Sequence, residues 1–156
     1  MIVLGLAAWN TGQLDGELEL EKWTLSESSV DLIFDMENKK INVKEKFTKI
    51  NEYWSPRVVT EMNNYQFKLA KIKGEFIWHS HDSTDEVFMV IHGEMCIELR
   101  DGLVKLSKGE MYVVPMGVEH KPFAEKECKI MLVEPKGVVN TGQMMDDLTS
   151  PNDVWI

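Results

Sequence analysis

The hydrophobic and polar positions downstream of residue 56 follow a pattern that is typical of short β-strands. Apolar-rich runs separated by turn residues lie at 57–61, 65–72, 74–80, 86–92, 94–100, 103–106, 111–114, 121–125 and 128–134. Asp101-Gly102 and Met116-Gly117 are two of the turns, where glycine adopts the required backbone angles at little cost. Many short strands without intervening helices predict an all-β sandwich or barrel. A closed or double-sheet barrel is favoured, because so many strand edges need protection.

The residues just before this block have a helical pattern. Val43, Phe47 and Ile50 recur at helical spacing, which predicts a short amphipathic helix near 43–50. Trp54-Ser-Pro56 follows, and the residue before a proline is displaced from helical backbone angles. We therefore expect the helix to end before this tripeptide.

The first 38 residues form an acidic extension that is expected to be irregular or strand-forming. Leu14–Leu20 alternates in part and predicts an exposed edge strand, and residues 28–34 predict another short element. The chain is thus divided into an extension at 1–38, a barrel at 39–142 and a C-terminal tail at 143–156. The tail is polar with little periodicity, and we expect Trp155-Ile156 at its end to dock on the barrel.

Composition and charge exclude several classes of partner. The chain of 156 residues has a net charge of −9, which disfavours nucleic acid and anionic membrane surfaces. The apolar run Ile2–Trp9 is too short to span a bilayer. No basic residue precedes this run and no small-residue cleavage site follows it, so a signal peptide is not predicted. We expect no nucleic-acid or membrane partner and a cytoplasmic location.

Cys96 and Cys128 are the only cysteines, and their spacing matches no zinc or redox motif. The main interpretation is two buried reduced thiols, which behave as small hydrophobic residues. A disulfide is the alternative if the two strands are neighbours.

Three histidines and one glutamate occur at spacings that suit a metal site. His79 and His81 would point to the same face of a strand, with Cα atoms about 6.5–7 Å apart. Glu86 opens the following strand after a polar turn, and His120 begins a later strand after a turn that contains Pro115 and Gly117. Asp82, Asp85, His92 and Glu119 lie nearby but do not fit this geometry.

Each of the four residues has an ordinary structural explanation when taken alone. A His-x-His pair is more often hydrogen-bonded than metal-bound, and a lone glutamate after a turn is usually solvated. Their conjunction in one β-rich block favours a site for one divalent transition metal with open coordination positions. Ile77, Phe88 and Val90 share the ligands' strand faces and are expected to line an apolar pocket beside the ion.

These residues resemble the two motifs of the cupin superfamily. Gly74, His79, His81, Glu86 and Gly93 match the first motif, with one residue fewer after the first glycine. The second motif is matched by Gly109, Pro115, Gly117 and His120, while Ala124 replaces its final asparagine. The similarity covers roughly residues 42–142 and extends to small cupins of the mannose-6-phosphate-isomerase-like type.

The resemblance implies a jelly-roll double-stranded β-barrel and a homodimer. It also implies that His79, His81, Glu86 and His120 hold one divalent metal, which could be Fe, Mn, Ni or Zn. Three functions stay open: a metalloenzyme of isomerase or dioxygenase type acting on a small oxygenated molecule, a non-catalytic module that binds or senses a small ligand, and a barrel that needs no metal. A sugar-phosphate substrate is disfavoured, because no cluster of basic residues is predicted to face the pocket.

The sequence Asn10-Thr-Gly-Gln13 recurs as Asn140-Thr-Gly-Gln143. The recurrence is weak evidence for a repeat. One explanation is that residues 1–35 derive from the end of an upstream cupin-like unit. Another is an early start codon, with the native protein beginning at Met36.

Overall fold

The computed structural model describes residues 2–4, 7–9, 40–144 and 146–156. The chain divides into two units, residues 1–40 and 41–156. In the first unit, β1 (Ile2–Leu4) and β2 (Ala7–Trp9) pair as an antiparallel ribbon. The strand expected at Leu14–Leu20 and the element expected at 28–34 lie outside the described residues.

A single short helix, α1 (Val43–Phe47), begins the described part of the second unit. The Asn42 side chain accepts a hydrogen bond from the Glu45 amide at 3.1 Å, which caps the N-terminus. The helix is shorter than the predicted 43–50. Both the amide and the hydroxyl of Thr48 donate to the Glu45 carbonyl, which closes the last turn early.

Seven strands form the body of this unit. They are β3 (Arg57–Met62), β4 (Tyr65–Glu75), β5 (Glu86–His92), β6 (Glu94–Leu99), β7 (Gly102–Ser107), β8 (Met111–Val114) and β9 (His120–Pro135). Their pairing is antiparallel throughout, in the order β3-β4-β9-β5-β8, with β7 pairing β6 and β6 pairing β9. The strand pattern predicted this all-β architecture, and the arrangement agrees with the jelly roll that the cupin resemblance implied.

The long strand β9 organises the barrel because it pairs with three others. Its residues 123–135 lie against β4, its first four residues pair with β6, and residues 129–133 pair with β5. The prediction of two separate strands at 121–125 and 128–134 was wrong, because both belong to β9. Ile72 pairs with Cys128 and Gly74 pairs with Ala124, so three residues of β4 oppose five residues of β9. The exposed residues 125–127 therefore protrude as a bulge within one continuous strand.

The predicted strand at 74–80 was also wrong. β4 continues through Gly74 to Glu75, and the chain then crosses the barrel mouth with a single bridge between His79 and His120. The segment is too irregular to form a ladder, although its residues alternate as a strand would. This crossing brings the two central histidines of the candidate site together.

Two apolar clusters stabilise the unit. The larger fills the barrel interior and includes Ile72, Phe88, Val90, Ile97 and Ile130. The smaller packs α1 on the outer face of the sheet through Phe47, Ile50, Val59 and Leu69. β4 is therefore covered on both faces, which determines the environment of its polar residues.

The C-terminal residues pack on the barrel as expected. Trp155 bridges to Val58 of β3, and the Ile156 amide donates to the Val58 carbonyl at 3.1 Å. Both cysteines are free, with Cys128 buried and Cys96 half-buried. Within the described residues, no helix is long and apolar enough to cross a membrane.

Candidate metal centre

Backbone hydrogen bonds and the starts of two strands position the predicted ligands at one end of the barrel. His79 and His120 exchange backbone hydrogen bonds of 3.1 and 2.9 Å. The His81 carbonyl accepts from the Gly117 amide at 2.9 Å, which ties the His-Ser-His segment to the Pro/Gly turn. Glu86 is the first residue of β5 and His120 is the first of β9, as the sequence predicted.

The structure brings these four side chains together. One potential ligand atom from each of His79, His81, Glu86 and His120 lies within 4.8 Å of the others. All four residues are buried, and none is more than 6% exposed. The segment that carries His79 and His81 is not part of a regular strand. The bridge between His79 and His120 holds it beside the cluster.

The hydrogen bonds of two histidines determine which ring nitrogens can bind a cation. His79 Nδ1 lies 3.0 Å from the Ile77 carbonyl, and His120 Nδ1 lies 3.0 Å from the Val118 carbonyl. Since a carbonyl oxygen only accepts, each Nδ1 carries the hydrogen. In the neutral rings, the Nε2 lone pairs are therefore left for a ligand, and the backbone supports each ring as protein groups support metal-bound histidines.

The contacts of Glu86 leave buried polar atoms in the cluster that a cation would satisfy. Its Oε2 atom lies 3.2 Å from Nε2 of both His81 and His120. If His120 is neutral, its Nε2 lone pair and the carboxylate face each other as two acceptors. His81 Nε2 is buried without a hydrogen-bond partner, since its contact with Glu86 lacks hydrogen-bond geometry. A proton or a metal ion in the cluster would satisfy these atoms, so the donor set fits a divalent metal.

The ionisation of the cluster is consistent with this fit. Burial alone would raise the pKa of Glu86, but contacts with His120 and His81 hold that pKa at about 2. Burial and the neighbouring His120 lower the pKa of His79 to about 4. Burial acts to lower the pKa of His81, yet the Glu86 carboxylate outweighs it and the net shift is upward. At neutral pH the site thus offers an anionic carboxylate and a neutral His79 ring.

The nearby polar residues that did not fit the predicted geometry lie outside the cluster. Asp82 and His92 are exposed. Asp85 accepts a backbone hydrogen bond at 2.8 Å, and Glu119 forms a surface ion pair with Arg100 at 2.9 Å. None of these four groups belongs to the cluster.

An apolar cavity of about 30 Å³ adjoins the cluster. His79 and Glu86 lie in its wall. The other lining residues are mainly apolar: Trp54, Pro56, Ala70, Ile72, Phe76, Phe88, Pro122, Ile130 and Leu132, with Asn140 as a polar exception.

Aromatic rings connect the cavity wall to the histidines. Trp54 stacks on Phe76 with ring centroids 4.8 Å apart, and Phe76 meets the His79 ring edge-to-face at 5.2 Å. Phe88 contacts the His120 ring at 5.9 Å. These contacts restrict the orientation of two histidines and also shape the cavity.

Of the three predicted pocket residues, only Phe88 lines the cavity. Ile77 packs against the core, and its carbonyl accepts a hydrogen bond from His79 Nδ1. Its neighbour Phe76 lines the cavity. Val90 is buried four residues beyond Glu86, which is about 13 Å along a strand. Trp54 and Phe76 were missed because neither shares a strand with a ligand.

A buried ion pair near the cluster was also missed. Lys68 Nζ lies 2.9 Å from Glu134 Oε1, and both side chains are almost fully buried. Lys68 also donates to the Val138 carbonyl and to Asn152 Oδ1, each at 3.3 Å. The three donors of the ammonium group are therefore used, and Lys68 is not free to bind a substrate anion.

Comparison with known proteins agrees with the fold and the motif. The family model of the cupin domain matches residues 67–134. A cupin-2 domain containing protein from Shewanella frigidimarina is 57% identical, and the match covers 65% of this chain and 99% of that protein, with a TM-score of 0.63. The protein NMB1881 from Neisseria meningitidis is 35% identical over 63% of this chain and 100% of its own, with a TM-score of 0.58.

A curated relative supports the same assignment. The uncharacterised protein YdbB of Bacillus subtilis is 31% identical over 79 residues, which are 50% of this chain and 70% of YdbB. The chain therefore belongs to the cupin superfamily, as a small cupin with one barrel of the Cupin_2 type.

A second family model, for AlgH-like proteins, matches residues 1–51. This region contains the acidic extension and reaches α1 of the second unit. Because the matching family is not a cupin family, the comparison gives no support to an upstream cupin-like origin for residues 1–35.

Proposed function

We propose that this protein is a metal-dependent enzyme that acts on a small, oxygenated molecule with an apolar body. The carrying observation is the buried cluster of three histidines and one glutamate in the wall of an apolar cavity. His79, His81, Glu86 and His120 would hold one divalent ion, for which iron, manganese, nickel and zinc are the candidates. When bound, such an ion supplies Lewis-acid activation of a substrate oxygen or a binding position for dioxygen.

The protein's own residues determine the rest of the chemistry. The carbonyls of Ile77 and Val118 hold the His79 and His120 rings with Nε2 facing the site. Glu86 contributes the negative charge that a divalent cation requires in a buried environment. The cavity excludes water around the substrate, which strengthens the electrostatic interactions of the bound oxygen.

The cavity favours apolar or aromatic substrates over sugar phosphates. None of the described residues that line it is a lysine or an arginine. Lys121 follows His120 but faces outward, where it pairs with Glu75 and Glu98 at 3.2 and 3.1 Å. Reactions of dioxygenase type, or isomerisation of a small hydroxy or keto compound, therefore suit the site better than sugar-phosphate isomerisation.

A non-catalytic function, in which the metal anchors a small ligand for binding or sensing, is the second candidate. One observation favours it: among the described lining residues, Asn140 is the only polar side chain beyond the ligands His79 and Glu86. Asn140 cannot transfer a proton at neutral pH, so any general base would have to be a ligand itself. Turnover distinguishes the two candidates, since both require metal and ligand binding.

We also propose that the protein is a cytoplasmic homodimer with a small-molecule ligand and without a nucleic-acid partner. The charge of −9 supports the last point, and the family resemblance supports the dimer.

Metal analysis and an activity panel test the proposal. Wild-type protein purified without chelator should carry about one metal ion per chain, and His79→Ala should carry much less. Oxygen uptake or isomerisation should then appear with aromatic diols or keto acids and not with sugar phosphates. Equal metal content in the two proteins would refute the site, whereas ligand binding without turnover would favour the sensing function.

A further inference from the structure

We propose that Gly142 is a positioning residue for the His79–His81 ligand segment; this inference rests on the proposed metal site. A Cβ atom built at Gly142 would lie 2.0 Å from the Ser80 carbonyl oxygen and 3.1 Å from its carbon. The same atom would lie 3.6 Å from His81 Nδ1. The backbone at 142 therefore rests directly on the peptide between the two histidine ligands, where only glycine fits.

The turn that carries Gly142 is itself held firmly. Asn140 Nδ2 donates to the Trp54 carbonyl at 3.1 Å and to the Leu148 carbonyl at 2.9 Å. Thr141 is fully buried, and its hydroxyl bonds to the Met144 carbonyl at 2.7 Å and to the Thr149 hydroxyl at 2.9 Å. The Asn-Thr-Gly sequence that recurs in the chain thus forms, at 140–142, a rigid support rather than a flexible tail.

His81 needs such a support more than the other two histidines do. The rings of His79 and His120 are each fixed by a carbonyl two residues earlier. Within the described residues, no carbonyl does this for His81, and its Nε2 has no hydrogen-bond partner. Its contact with Glu86 at 3.2 Å lacks hydrogen-bond geometry, so packing has a larger part in orienting His81, and Gly142 lies against its Nδ1 side.

The consequence for a substitution is specific. Gly142→Ala requires the Ser80 carbonyl and residue 142 to separate, because real Cβ atoms do not approach backbone atoms closer than 3.0 Å. The displacement of about 1 Å would pass to both histidines. Changes to groups that orient metal ligands typically weaken metal binding by about 10–100-fold, and we expect at least a tenfold loss here.

Gly137→Ala is the matched control. Gly137 has φ of +89° and Gly142 has φ of +59°, so alanine is strained at both positions. No atom lies within 4 Å of a Cβ built at Gly137. The two variants therefore share the backbone penalty and differ in the contact with Ser80.

The test measures Co²⁺ binding by absorption titration, with urea unfolding of each metal-free variant to establish the folded fraction. A loss of tenfold or more in Gly142→Ala, with Gly137→Ala within twofold of wild type, supports the proposal. Equal effects in the two variants, or wild-type affinity in folded Gly142→Ala, would overturn it. If Gly142→Ala does not fold, Thr141→Val decides instead: a loss of threefold or more supports the proposal and unchanged affinity overturns it.

A metal-free measurement separates this inference from the metal proposal. Ring-nitrogen NMR shifts of His81 at fixed pH should change in Gly142→Ala and stay constant in Gly137→Ala. If wild-type protein binds no divalent metal, the proposed function fails, and these shifts alone decide the positioning role. Unchanged His81 shifts in both variants would then refute it.

Discussion

Replacing Lys68 by methionine should sharply destabilise the metal-free protein. Methionine has similar length but removes the ammonium group that lies 2.9 Å from the almost fully buried Glu134 carboxylate. Glu134 Oε2 already has no hydrogen-bond partner. Removing one partner of a buried ion pair costs about 3–5 kcal/mol, because the remaining charge is buried and uncompensated. Such a loss is a large fraction of the stability of an ordinary domain, about 5–15 kcal/mol.

The cost of Lys68→Met should grow with pH. Burial and the nearby Glu86 carboxylate raise the pKa of Glu134 to about 7, against the effect of Lys68. Without Lys68 the folded-state pKa rises further above its unfolded value. A raised carboxyl pKa means that stability is retained below the unfolded pKa and is lost as pH rises through the folded one. Protonated Glu134 needs no counter-charge, so the variant should be less impaired at pH 5.5 than at pH 8.

Urea unfolding of the chelator-treated protein measures the effect. With a slope of about 2 kcal/mol per molar urea, a loss of 3–4 kcal/mol lowers the midpoint by about 1.5–2 M at pH 8. Lys68→Met/Glu134→Leu should recover most of this loss, since an apolar pair can replace a buried ion pair. The control Lys136→Met removes an exposed partner of Glu61 at 3.4 Å and should change stability by about 0.5 kcal/mol or less.

Two results would contradict a stabilising charge on Lys68. The first is a loss below about 1 kcal/mol for Lys68→Met at pH 8, which would mean that Glu134 is not held as a buried anion. The second is a double variant as unstable as the single one. That outcome would attribute the loss to packing of the lysine side chain and not to its charge.

Three further predictions concern the pH dependence of stability, ligand binding in the cavity and the oligomeric state. Burial and His120 lower the pKa of His79 to about 4, so metal-free protein should lose stability as pH falls from about 6.5 towards 4. Urea unfolding of His79→Gln should show a smaller loss over the same pH range. An equal loss would mean that His79 is not the group responsible. Phe88 is 2% exposed and lines the cavity, so Phe88→Ala should lower the unfolding free energy by about 3–5 kcal/mol. It should also weaken the affinity for aromatic ligands measured by calorimetry. An unchanged affinity would mean that these ligands bind elsewhere. Light scattering should give twice the chain mass if the protein is a homodimer, and a monomer mass would reject that proposal.

The four clustered residues could be recognised from the sequence because their spacing reflects two local turns. Glu86 and His120 each begin a strand directly after a turn, so turn chemistry determines their positions. The glycines of the motifs support this: Gly74, Gly109 and Gly117 all have positive φ angles. The cluster and the barrel therefore lie in the part of the chain where the sequence predicts them.

Features that depend on what covers a strand could not be predicted in the same way. In β4, apolar and polar residues alternate around Lys68, but the alternation does not determine which face α1 covers. Leu69 packs on the outer face beneath α1, which places Lys68 inside the barrel. Likewise, the break predicted at 126–127, between strands at 121–125 and 128–134, is a bulge within the continuous strand β9.

The central position of β9 has a consequence for folding. Pairs such as Tyr65 with Pro135 join residues seventy positions apart, and chains dominated by distant pairings fold slowly. Because β9 is the last strand of the barrel, β4, β5 and β6 leave the ribosome before their shared partner. Their unpaired edges stay open to other chains until β9 arrives, which makes this interval the aggregation-prone stage of biosynthesis. His120 arrives with the same strand, so the barrel closes and the cluster of three histidines and Glu86 is completed in one step.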